Sequence, residues 1–130
     1  DALSDSQQHK LEKPQSRAEK IINMYQSYEL NIHWPSLVSR RKMHTAILVF
    51  KCLSSQVPSF LQNSIDLSNP GRLTRNCAHK CDIPKVKLVF GSKGFYVRGP
   101  QVFNSLPLCI REENVFTNFR KRVIDHFSNP

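Results

Sequence analysis

The run Cys77-Ala78-His79-Lys80-Cys81 carries the residue types that zinc prefers, thiolate and imidazole. A structural zinc site needs ligands in tetrahedral directions. The spacing C-x-H-x-C crowds its ligands together, and no second C-x-x-C or H-x-x-x-H pair completes the set. No metal or other cofactor is therefore expected. Cys52 and Cys109 sit in apolar contexts and read as small core residues. No secretory signal points to an oxidising compartment, so reduced thiols are the expectation. His33, His44 and His126 have no nucleophile or carboxylate at a spacing that would make them acid-base groups. Asp66, Asp82 and Asp125 are scattered, and only Glu112 and Glu113 are adjacent. There is no Gly-rich phosphate loop, no G-x-S-x-G and no internal repeat. The segment is expected not to be an enzyme.

What remains as chemistry is positive charge. The net charge is +9, and it is unevenly placed: residues 1–35 hold four basic and five acidic side chains, residues 36–130 fifteen and five. An excess of that size raises the local concentration of polyanions and favours RNA or DNA, bound without sequence preference, over an anionic membrane. The competing reading is a lysine-rich surface that only maintains solubility. The candidate nucleic-acid contacts are Arg40, Arg41, Lys42 and Lys51, then Arg72 and Arg75, then Lys85, Lys87, Lys93 and Arg98, and finally Lys121. Tyr96, if exposed, would add a stacking surface for an unpaired base. Neither a membrane nor a small-molecule substrate is expected as a partner, since no apolar run approaches the roughly 18 residues of a membrane span. An intracellular place, in the nucleus or the cytoplasm, is the expectation. The opening DALSDSQQHK lacks an initiator methionine and an apolar core, so it reads as the cut end of a longer polypeptide rather than a signal peptide.

These cations need elements to position them. A chain of 130 residues with eight phenylalanines is long enough for one domain with its own core, without a metal or a disulfide. Residues 1–15 are polar and read as a flexible tail, and 16–128 as a single, mainly α domain with an irregular Pro/Gly-rich middle. Ser16 and Glu19 have capping-box spacing and predict a helix over 16–30, with Ala18, Ile21, Ile22, Tyr25 and Tyr28 on one face. Trp34-Pro35-Ser36 breaks the pattern. A central helix over 36–54 follows, its stripe being Leu37, Met43, Ala46, Ile47, Val49, Phe50 and Leu53. A short helix over 58–63 would bury Phe60 and Leu61, and residues 68–81 read as loop. Ile83–Phe90 alternates partly and admits a short strand. Asn114 is placed to cap a last helix, 114–127, with Phe116, Phe119, Val123 and Phe127 inward and Arg120, Lys121 and Arg122 outward.

The stretch GFYVRGPQVFNSLP, residues 94–107, leaves two arrangements open: a hairpin partner through Phe95 and Val97, or a short helix over 100–105. The spacing of Phe95, Val102, Phe103 and Leu106 favours the helix. In both, Phe95, Phe103 and Leu106 are buried anchors and Gly99-Pro100 sets a chain direction. Arg98 is read as mainly structural, with its planar guanidinium also suited to a phosphate.

Taken in order, RAEKII, HWPSLVSRRKMHTAILVFKCL, VPSFL, TR, IPKVK, GSKGFYVRGPQVFNSLP and FTNFRKRV resemble the C-terminal region of LINE-type, non-LTR retrotransposon reverse transcriptases of the CR1-like, L2-like and Jockey-like kinds, the portion that follows the polymerase palm. The resemblance spans about residues 17–127 and rests on the ordered series. Phe103 stands where such elements commonly carry tryptophan, which keeps the apolar bulk and loses the indole donor. The resemblance implies support of template, primer or target binding, and an upstream reverse transcriptase domain as a further partner. It would place the metal-binding carboxylates of polymerisation on a Tyr-x-Asp-Asp turn, which this sequence does not contain. The second reading is a structural or protein-interaction module docking on that polymerase domain or on a host partner, its basic surface incidental.

Overall fold

The computed structural model describes residues 3–25, 34–68 and 79–128. Among these the architecture is mainly α: α1 (Asp5–Tyr25), α2 (Leu37–Leu53), α3 (Ser59–Gln62), α4 (Val89–Ser92), α5 (Phe95–Ser105), α6 (Leu108–Arg111) and α7 (Phe116–Ser128). α2 is the hub, packing chiefly against α5 and α7.

α2 begins where its chemistry dictates. The Ser36 side chain accepts the Ser39 backbone N–H at 3.0 Å, an N-cap that starts the helix at Leu37. Met43, Ala46, Val49, Phe50 and Cys52 are buried along it. Phe119 of α7 stacks on Phe50, ring centroids 4.3 Å apart, and lies 6.1 Å from Phe103 of α5. Three helices thus share one aromatic centre, and Phe119 and Val123 are fully enclosed. On α7 the inward and outward sets are as the periodicity predicts, with Arg120, Lys121 and Arg122 exposed. The helix begins at Phe116 rather than 114: the Val115 carbonyl accepts from Phe119 N–H, so Asn114 precedes the cap position.

α5 differs more from the sequence expectation. It runs from Phe95, through Gly99 and Pro100, to Ser105. Gly99-Pro100 is therefore not a turn. Both residues are buried, and a Cβ on Gly99 would stand 3.0 Å from Val49 Cγ2 and 3.2 Å from Phe95 Cε2. Glycine here lets α5 approach α2 closely, and that packing outweighs the proline's missing donor. Phe103 and Leu106 are buried anchors as expected, whereas Phe95 is only half-buried.

The expected tail is instead the first half of α1. Ser4 and Gln7 form the real capping box: Gln7 Oε1 accepts from Ser4 N–H at 3.0 Å, and Ser4 Oγ accepts from Gln7 N–H at 3.4 Å. Ser16 and Glu19 share that signature but lie mid-helix, beyond Pro14, which the helix also accommodates. α1 buries no residue, and Ile21, Met24 and Tyr25 of its apolar face are exposed. The expected stretch 26–30, with Tyr28, lies outside the described residues, as does His33.

No strand forms over 83–90. Pro84 lacks a donor, no partner strand is adjacent among the described residues, and Val89 begins α4. The one β-feature among the described residues is an isolated antiparallel bridge between Leu67 and Cys81. Phe60 is 71% exposed, contrary to expectation. In so short a helix only one side meets the core, and Leu61 occupies it, while Ile65, beyond the helix end, is buried in the core itself.

Candidate nucleic-acid interface

On α2, Val38 lies three and four residues before the adjacent pair Arg41 and Lys42, and Thr45 four and three after it, which places all four in a strip on one side of the helix. Phe95, Arg98 and Val102, at intervals of three and four, likewise share one side of α5, with Lys93 just ahead of that helix. The two strips, with His44, line a cleft of about 400 Å³. Four of the predicted contacts, Arg41, Lys42, Lys93 and Arg98, meet there, and among the described residues no Asp or Glu lines it. Lys42 and Lys93 are exposed, and Arg41, Arg98 and Phe95 half-buried. Among the described residues no hydrogen bond or ion pair engages the side chains of Lys42, Lys93 or Arg98. Arg98, read from the sequence as mainly structural, is thus a half-buried wall of the cleft whose guanidinium makes no polar contact among the described residues. Such a rim suits anionic oxygens, and Val38, Phe95 and Val102 add apolar wall.

The other predicted contacts are not part of this cleft. Arg40, one position off the strip, donates a hydrogen bond to Gln15 Oε1 on α1. Lys51 Nζ sits 5.1 Å from the centre of the Phe116 ring, near the other end of α2. Lys85 and Lys87 are exposed on the irregular segment before α4, and Lys121 is exposed on α7. Arg72 and Arg75 lie outside the described residues. Tyr96, expected as a stacking surface, lines a separate groove with Asp66 and Asp82, whose charge repels phosphate. Phe95, expected in the core, packs half-buried against it and also lines the cationic cleft.

The N-terminus of α2, another natural anion site, is already occupied. Glu12 Oε1 accepts the Leu37 N–H at 2.7 Å, and Glu19 Oε1 accepts the Trp34 N–H at 3.3 Å. Gln15 Nε2 donates to the Pro35 carbonyl at 3.1 Å. α1 is thus held against the start of α2 by polar groups.

Two residues of structural weight escaped the sequence reading. Arg111 is buried, donating from Nε to the Leu106 carbonyl at 3.0 Å and from Nη1 to the His79 carbonyl at 3.2 Å. It belongs to the architecture and not to the cationic surface. Asn104 accepts from Cys81 N–H and donates to the Cys81 carbonyl, both at 2.8 Å, pinning the 79–82 segment to α5. Its neighbour in that clamp, the Cys81 thiol, is pushed up to about 12 by burial, with Arg111 acting in the opposite direction. Cys109 is exposed rather than a core residue. Among the described residues no three Cys, His, Asp or Glu side chains gather as metal ligands, and Cys77 lies outside them. No helix among them is long and apolar enough to cross a membrane.

Compared with protein-family models, with curated proteins and with solved structures, the chain finds no match.

Proposed function

We propose that this chain is a non-catalytic C-terminal module of a LINE-type, non-LTR reverse transcriptase that helps to hold template, primer or target nucleic acid. The observation that carries the binding function is the meeting of Arg41, Lys42, Lys93 and Arg98 in one cleft with no carboxylate among its described lining residues. Scattered cations give diffuse attraction; gathered ones give a defined phosphate track. The ordered series of sequence blocks supports the family. Binding through phosphates places a strand without reading its bases, which fits a module that must accept any template sequence.

The test is a salt titration of binding to single-stranded RNA, duplex DNA and an RNA–DNA hybrid. Micromolar affinity at low salt, falling linearly in log–log form as salt rises, is expected. Absence of binding at low salt, or affinity indifferent to salt, overturns the reading. A second reading, docking on the polymerase domain, is favoured by the exposed Ile21, Met24 and Tyr25 on α1. Under it, Ile21→Asp weakens association with the parent polymerase domain and leaves nucleic-acid affinity unchanged.

A further inference from the structure

We infer that the α2/α5 cleft takes a single strand of nucleic acid, with one unpaired base laid against Phe95 and the flanking phosphates on the cationic rim. This rests on the nucleic-acid reading above and adds the state of the strand. The cleft combines two kinds of surface. Lys42 and Lys93 are exposed cations contributed from its two sides, while Phe95, Val38 and Val102 are only partly covered. A phosphodiester needs the first, and the flat face of a base needs the second.

A duplex cannot use both. Its bases are stacked and paired within the helix, so it offers a protein phosphates and base edges only. A concavity of about 400 Å³ falls at the small-ligand end of the range for pockets, too small to admit a double helix and large enough for an unstacked base. The alternative aromatic, Tyr96, stands beside Asp66 and Asp82, where a backbone phosphate would be repelled. Phe95 is a ring that a polyanion can reach among cations from the sides of both helices. A poly-glutamate chain would satisfy the rim but leave the ring unused.

The experiment is fluorescence anisotropy with a single-stranded oligonucleotide, as RNA and as DNA, and with the blunt duplex of the same sequence. The wild-type chain is compared with Lys42→Ala/Lys93→Ala, with Phe95→Leu and with a charge-matched control, Lys10→Ala/Lys13→Ala, on exposed positions of α1. Single strands are expected to bind at least about tenfold more tightly than the duplex. The cleft pair should lose about tenfold or more and flatten the salt slope by about one and a half, with the control pair losing less. Phe95→Leu should weaken single strands about tenfold and leave the duplex unaffected, in keeping with the loss of one base stack. The cleft pair removes exposed side chains and keeps its melting temperature, so the test stands even if Phe95→Leu unfolds. Equal affinity for duplex and single strand, a control pair as damaging as the cleft pair, or equal competition by poly-glutamate each overturns the proposal while leaving basic-surface binding intact. Failure to bind any nucleic acid at low salt overturns both.

Discussion

Both ends of the Asn104 amide are committed to the backbone of Cys81, so one side chain does for that segment what a neighbouring strand does in a sheet. Asn104→Leu removes both bonds and leaves the Cys81 N–H and carbonyl without those partners, which should cost about 1–3 kcal/mol in chemical denaturation. The same change should open Cys81 to thiol reagents. In the wild-type chain, mass-mapped alkylation should modify exposed Cys109 well before buried Cys52 and Cys81. The thiol also couples stability to alkali. Folded Cys81 keeps its proton to about 12, whereas in the unfolded chain it ionises near 9.0. Above 9.0 the unfolded state therefore binds fewer protons, and stability falls with rising pH until the folded thiol ionises too. Denaturation midpoints compared at about pH 8 and about pH 10.5 should drop further for wild type than for Cys81→Ala. Phe103, 2% exposed and within reach of Phe119, should cost about 3–5 kcal/mol when cut to alanine. A stable Phe103→Ala protein that had lost nucleic-acid binding would instead make this stretch a recognition element.

Elements were legible in the sequence to the extent that their own periodicity specified them. α2 and α7 carry apolar residues at helical spacing through to the core, and the buried sets Met43, Ala46, Val49 and Phe50, and Phe119 and Val123, follow from that spacing. Where a proline interrupts, local rules mislead, because tertiary packing decides. Pro100 reads as the start of a helix and lies inside one, as does Pro14. The site divides in the same way. Arg41 and Lys42 are visible as a basic run, but nothing local shows that Arg40 turns to Gln15, or that Lys93 and Arg98 meet α2. That meeting depends on Gly99. Gly99→Ala should cost about 1–3 kcal/mol, since its Cβ would press on Val49 and Phe95, and it should weaken single-strand binding without removing a charge. At the other end of α2, Glu12→Ala frees the Leu37 N–H and should cost about 0.5–2 kcal/mol, read from urea midpoints.

For the molecule as a whole, a net charge of +9 governs the distance from which a polyanion is felt, and it weakens as salt shortens the Debye length. The charge is also sorted. One groove beside α5 is lined by Lys93 and Arg98 together with Arg41 and Lys42 of α2, and another, at Tyr96, by Asp66 and Asp82. A strand drifting in from solution would thus exert a torque, drawing one side of α5 towards itself and turning the other away before any contact forms. Encounters would arrive already oriented, and a larger share would be productive. Asp66→Asn/Asp82→Asn should accordingly change the rate of association more than the rate of release, even though those carboxylates never touch the strand.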